Sequence, residues 1–180
     1  MKDKNKVIQI CDALIGIDYK PFIIAEMSGN HNQSLNRAIE IVDAAADSGA
    51  DAIKLQTYTA DTMTLDIKGG DFEIKDKKSI WSGQNLHSLY KKAHTPWEWH
   101  KEIFKRAKSK NIICFSSPFD TSAVDFLNEL NVPAFKIASF ENNHLPLIRK
   151  AASTGKPLII STGMATLADL ERAVEAARSA

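Results

Sequence analysis

Two lysines stand in the middle of apolar runs, Lys54 in Ala52-Ile53-Lys54-Leu55-Gln56 and Lys136 in Ala134-Phe135-Lys136-Ile137-Ala138. Alternate residues of a strand share a face. Lys136 therefore lies with Ala134 and Ala138, while Phe135 and Ile137 point the other way, and Lys54 shares a face with Gln56. A run apolar on both sides reads as a strand buried on both sides. An ammonium group there must find an anion or shift its pKa. Hydroxyls recur where such runs end, at Ser116, Ser117, Ser139 and Ser161. Two ammonium groups with Ser117, Ser139 and Ser161 supply the donors that phosphate oxygens take up. Glu26 and Glu141 stand where a strand gives way to its loop and are candidates for acid–base work. Two other readings of these residues stay open. The carboxylates can be counter-ions of the lysines, or one lysine can attack a carbonyl as a Schiff-base aldolase does.

The histidines, His31, His87, His94, His100 and His144, show no metal-ligand spacing. They are expected at the surface or at helix caps, except His31, whose place after the first strand suits a substrate contact. Trp97 and Trp99 are expected to pack a helix rather than form a binding cage.

Periodicity predicts the elements that must position these groups. Residues 7–10 and 13–17 are two short apolar runs around Cys11-Asp12 and predict a β-hairpin. Strands are predicted over 22–27, 52–57, 112–117, 134–138 and 157–162. Helices between them are marked by apolar stripes and caps: Ser34 opens the first and Gly49 stops it. Thr95-Pro96-Trp97-Glu98 reads as a capping box with proline at the first helical position. Asn143 and Thr166 are expected to cap the last two helices, and Gly155 to stop the first of these. The polar excursion 58–94, with a short helix at 86–92, is long enough to be a functional or covering loop. Strand–helix alternation predicts a parallel α/β sheet with right-handed crossovers. Polar residues end every strand: Glu26, Gln56, Ser116 and Ser117, Ser139, Ser161. That distribution favours a (β/α)8 TIM barrel over an open doubly wound sheet, where only the switch point is functional. The chain is expected to hold the N-terminal hairpin and about five β/α units of such a barrel, and residues 1–180 to be the N-terminal portion of a longer protein.

Composition sets outer limits. The 180 residues, 44% hydrophobic and 25% charged, suffice for one cored domain. A formal net charge of +1 gives no sign of nucleic-acid or anionic membrane partners. Cys114, inside an apolar run, reads as a buried free thiol rather than half of a disulfide with Cys11. Met1-Lys2-Asp3-Lys4-Asn5-Lys6 is charged, and Asp12 and Asp18 interrupt the next stretch, so no signal-peptide core is read there. No apolar run approaches the ~20 residues of a membrane span. A cytoplasmic location is the expectation.

The same residues resemble the sialic acid synthase family, enzymes that condense phosphoenolpyruvate with a sugar aldehyde. The resemblance is carried by Phe22-Ile23-Ile24-Ala25-Glu26 with Asn30-His31, Ala50-Asp51-Ala52-Ile53-Lys54-Leu55-Gln56-Thr57-Tyr58, Ser116-Ser117-Pro118-Phe119, Phe135-Lys136-Ile137-Ala138-Ser139-Phe140-Glu141 and Ser161-Thr162-Gly163-Met164. It is colinear over nearly the whole chain. Lys54 to Tyr58, Lys136 to Glu141 and His94-Thr95-Pro96-Trp97-Glu98-Trp99-His100 resemble the pseudaminic acid branch; the legionaminic and N-acetylneuraminic acid branches are the alternatives. The resemblance implies that Lys54, Lys136, Ser117, Ser139 and Ser161 hold phosphoenolpyruvate. It sets Gln56, Tyr58 and Phe119 toward the sugar, and Glu26 and Glu141 near the reacting carbons. It also implies a divalent metal, Mn²⁺ or Mg²⁺, whose protein ligands lie beyond residue 180, an antifreeze-like C-terminal domain, and a homodimer at full length. The 180 residues alone are then expected to be inactive; a non-catalytic phosphate-binding domain is the remaining reading.

Overall fold

The computed structural model describes residues 7–180; the charged segment 1–6 lies outside the described residues. β1 (Ile8–Ile10) and β2 (Ala13–Ile15) form the expected antiparallel hairpin, turning at Cys11 with φ 50° and pairing Ile8 with Ile15. Five parallel strands come next: β3 (Ile24–Glu26), β4 (Ala52–Thr57), β5 (Ile113–Pro118), β6 (Phe135–Ile137) and β7 (Leu158–Ile160). Their spatial order is their chain order, β3-β4-β5-β6-β7. A doubly wound sheet reverses direction at a switch point, whereas a sheet that always adds the next strand on the same side winds into a barrel. The chain is an α/β structure holding five units of that winding.

Between the strands lie α1 (Leu35–Asp47), α2 (Ala60–Met63), α3 (Leu86–Ala93), α4 (His100–Ser109), α5 (Thr121–Glu129), α6 (Leu145–Ala152) and α7 (Leu167–Arg178). Sequence caps act where foreseen at Ser34, whose hydroxyl accepts from the Arg37 amide, and at Thr166, which forms a reciprocal box with Asp169. Gly49 and Gly155, at φ 80° and 72°, end α1 and α6 in the left-handed conformation that glycine tolerates. Two caps differ. α6 opens after His144 rather than Asn143. The Thr95 box does not form: Pro96 leads into a 3-10 turn, Trp97–Trp99, with no side-chain cap, and α4 starts at His100. The Thr95 hydroxyl is instead 3.1 Å from Nε2 of buried His31. A buried imidazole without a partner costs more than an uncapped helix end that water can reach.

The two faces of the sheet divide the side chains. Ile53, Leu55 and Cys114 face α1 and α4 with Ala38, Val42, Ile103 and Ala107. Phe135 and Ile137 pack with Val124, Leu127, Leu147, Ile148 and Ala173. On the opposite face, Ala52, Phe115 and Ala134 meet Ile10 of the hairpin, with Phe22, Ile24, Ile113 and Ile159 around them. The hairpin therefore plugs the end of the inner face where the strands begin. The polar residues of that face are left to the end where the strands finish. No helix among the described residues is long and apolar enough to cross a membrane.

Candidate active site

Strand register builds the site. Glu26 stands beside Lys54, Lys54 beside Phe115, and Gln56 beside Ser117. Lys136 stands beside Ile159 on the neighbouring pair. Because alternate residues share a face, Glu26, Lys54, Gln56, Ser117 and Lys136 all look inward above the apolar plug. The Lys54 ammonium pairs with Glu26, and Gln56 Nε2 donates to the other Glu26 oxygen at 3.0 Å. Lys136 Nζ donates to the Ile137 carbonyl at 2.7 Å and to Ser161 Oγ. Burial lowers the pKa of Lys136, and the like charge of Lys54 lowers it further, while Glu26 and Glu141 oppose this. Two cations so placed are held in check by carboxylates, and an arriving dianion relieves their mutual repulsion.

Glu141 closes the 3-10 turn Ser139–Glu141 that comes after β6. Its Oε2 is buried and has no hydrogen-bond partner among the described residues. Burial raises its pKa, with Lys136 pulling the other way. A carboxyl whose pKa burial raises is a candidate to move a proton. Ser139 opens the same turn, and Ser117 is buried at the end of β5. Of the candidate phosphate residues, Ser117, Ser139 and Ser161 lie at or just past strand ends, and Lys54 and Lys136 reach inward from mid-strand.

The residues expected to face a sugar divide. Gln56 and Tyr58 line a cavity of about 480 Å³ with Asn30, Trp81 and Tyr90, so part of the excursion covers that side. Tyr58 is 3% exposed and meets Tyr90 and Phe119 edge-on, with ring centroids at 5.8 and 5.4 Å. Its hydroxyl is pushed up to about 12 by burial. Phe119 meets Tyr58 edge-on but does not line that cavity.

Three features escape the sequence reading. His31 and His100 are fully buried, so neither is a surface residue nor, for His31, a substrate contact. Asn142 is buried and donates to the Gly163 carbonyl at 2.9 Å, tying the loop after β6 to the loop after β7. Gly163 itself comes so close to Ser139 that an added Cβ would lie 3.0 Å from its Oγ. Gly163 has no left-handed backbone, so alanine fits its conformation and acts only by displacing Ser139. Gly163→Ala is expected to turn the Ser139 hydroxyl away from its present position, with stability changed by less than about 1 kcal/mol. The Ser139 resonances, read beside a urea melt, check this.

Among the described residues no three His, Cys, Asp or Glu side chains converge to hold a metal ion. Cys114 is a buried free thiol and Cys11 an exposed one; burial raises the pKa of both.

Residues 41–180 match the NeuB family. A pseudaminic acid synthase from Helicobacter pylori is 49% identical over 158 residues, which cover 88% of this chain and 46% of that protein. An N,N'-diacetyllegionaminic acid synthase from Campylobacter jejuni is 38% identical over 156 residues, 86% of this chain and 46% of that protein. The crystal structure of an N-acetylneuraminic acid (sialic acid) synthetase from Leptospira borgpetersenii superposes with a TM-score of 0.83 at 30% identity, covering 97% of this chain and 56% of that one. The chain thus spans about half the length of the relatives it matches.

Proposed function

We propose that this chain, which belongs to the NeuB family, supplies the phosphoenolpyruvate-binding wall of a pseudaminic acid synthase. Such an enzyme joins phosphoenolpyruvate to 2,4-diacetamido-2,4,6-trideoxy-L-altrose, giving pseudaminic acid and phosphate. The observation that carries this reading is the inward pair Lys54 and Lys136 on one face, with Ser161 bound to Lys136 and Glu26 to Lys54. The identity to the H. pylori protein favours the pseudaminic sugar over its legionaminic and neuraminic counterparts.

In this reading Lys54, Lys136, Ser117, Ser139 and Ser161 grip the phosphate and carboxylate and orient the enol. The enol C3 attacks the sugar aldehyde carbon and forms the new C–C bond. Water adds to the resulting cation at C2, and the tetrahedral intermediate expels phosphate by C–O cleavage. The lysine charges stabilise the departing phosphate. In the same reading Glu26, a carboxylate paired with Lys54, takes the proton of the attacking water, and Glu141 protonates the nascent sugar alkoxide. The described residues do not make a site for Mn²⁺ or Mg²⁺, and no step is assigned to either ion. A homodimer is part of the same proposal.

Calorimetry with phosphoenolpyruvate is the direct test. Binding that inorganic phosphate competes away is expected. No binding at millimolar ligand would overturn the reading. Borohydride trapping of a carbonyl compound on Lys54 or Lys136 would move the chain to the aldolase class.

A further inference from the structure

Thr57 and Ser116 look outward, away from the site, on strands whose other outward residues are apolar. Both are fully buried, and so is His100, the first residue of α4. Thr57 Oγ1 lies 2.8 Å from His100 Nε2 and 2.6 Å from Ser116 Oγ. His100 Nδ1 lies 3.2 Å from the Pro96 carbonyl oxygen. A carbonyl only accepts, so Nδ1 carries the ring proton. Burial keeps the imidazole neutral, which leaves Nε2 as an acceptor. The Thr57 hydroxyl then donates to His100, and its oxygen accepts from Ser116. One direction satisfies every member: Ser116 to Thr57, Thr57 to His100, His100 to Pro96. A buried polar chain satisfied in only one way specifies geometry more sharply than apolar packing does.

What the chain fixes is given by its sequence neighbours. Gln56 precedes Thr57 and Ser117 comes after Ser116, and the two stand opposite each other on β4 and β5. Successive strand residues point to opposite faces. Pinning Thr57 and Ser116 outward therefore sets the aim of Gln56 and Ser117 inward. The β5–β6 ladder offers little help there, since its register pairs only Ser116 with Phe135. We propose that His100 is a positioning residue which, through Thr57 and Ser116, holds Gln56 and Ser117 in place at the active face. The part of this that concerns ligand affinity rests on the reading of Ser117 as a phosphoenolpyruvate contact.

The test uses the chain with His100→Ala, His100→Gln and Thr57→Val. Nitrogen NMR of the imidazoles should show His100 protonated at Nδ1 and bare at Nε2. In folded Thr57→Val, which is nearly isosteric, the Gln56 side-chain amide and the Ser117 backbone amide should shift. Phosphoenolpyruvate affinity should fall about 10-fold in this variant and in His100→Ala, the effect of one misplaced hydrogen-bonding group. His100→Gln keeps an acceptor toward Thr57 and should recover most of the loss. Unmoved Gln56 and Ser117 resonances in folded Thr57→Val, or the opposite tautomer, would overturn the proposal. If the unmodified chain binds no phosphoenolpyruvate, the proposed function fails, while the tautomer and the two resonances still decide the role of His100.

Discussion

Lys136→Met is expected to weaken phosphoenolpyruvate binding roughly 100-fold or more, without loss of stability. A lysine ammonium has three protons. Two are taken by the Ile137 carbonyl and Ser161, which fix the group and leave the third for a ligand. A hydrogen bond to a charged group contributes about 1.5–3 kcal/mol, and the lost charge attraction adds to it. Methionine matches the length and packs against apolar neighbours, so the fold is kept. Stability should hold or rise, because burial and Lys54 both disfavour the Lys136 charge in the unliganded chain. Lys136→Arg is not a rescue: a planar fork cannot reproduce the bonds of a compact ammonium. Lys54→Met should behave differently, since it strips Glu26 of its ion-pair partner as well as removing a proposed phosphate contact. Titration calorimetry and urea unfolding of these variants give both quantities. Lys136→Met binding within a few-fold of the unmodified chain would remove Lys136 from the phosphate site.

That Lys136 faces inward was legible because a strand has period two. With Phe135 and Ile137 committed to one core and Ala134 to the other, the lysine had only the inner face left. The same rule set Lys54 and Gln56 inward, and strand register then brought Glu26 to Lys54. Single-sequence periodicity could not see what depends on distant partners. The Thr95 hydroxyl had the local form of a helix cap, yet His31, 64 residues away, uses it. His100 reads as a surface or capping residue, and it does open α4, but its burial is not legible because a lone histidine carries no spacing signal. The available clue lay elsewhere, in two hydroxyls, Thr57 and Ser116, on an otherwise apolar outer face. Three of the expected sheet strands are longer than the observed ones, as with 22–27 against Ile24–Glu26, whereas 52–57 is the observed β4 and 112–117 is displaced by one residue from β5. The rings of Tyr58 and Phe119 meet each other where their strands end, a contact between loops that no local pattern encodes.

Acidification should expose the buried histidines. Burial holds the pKa of His100 at about 4, against an ordinary value of 6.5. Between those two values the unfolded chain binds a proton that the folded chain refuses. Stability therefore rises with pH across this window, and it is lost as pH falls from about 6.5 toward 4. At one unit to about 1.4 kcal/mol, the loss for His100 is on the order of 3 kcal/mol. His31, also lowered by burial, contributes with the same sign. Glu141 acts oppositely. Its pKa is raised, so the folded chain takes up that proton more readily than the unfolded one, and acidification through its folded pKa returns some stability. Lys136, lowered from 10.5, has its window far above this range. The two opposing contributions separate by substitution. Urea melts at pH 7, 5.5 and 4.5 should show a shallower acid loss in His100→Gln, which has nothing to protonate, and a steeper one in Glu141→Gln, which cannot take up the compensating proton. If His100→Gln lost stability in parallel with the unmodified chain, the acid sensitivity would belong to other groups, and a buried neutral His100 could no longer be the acceptor that holds Thr57.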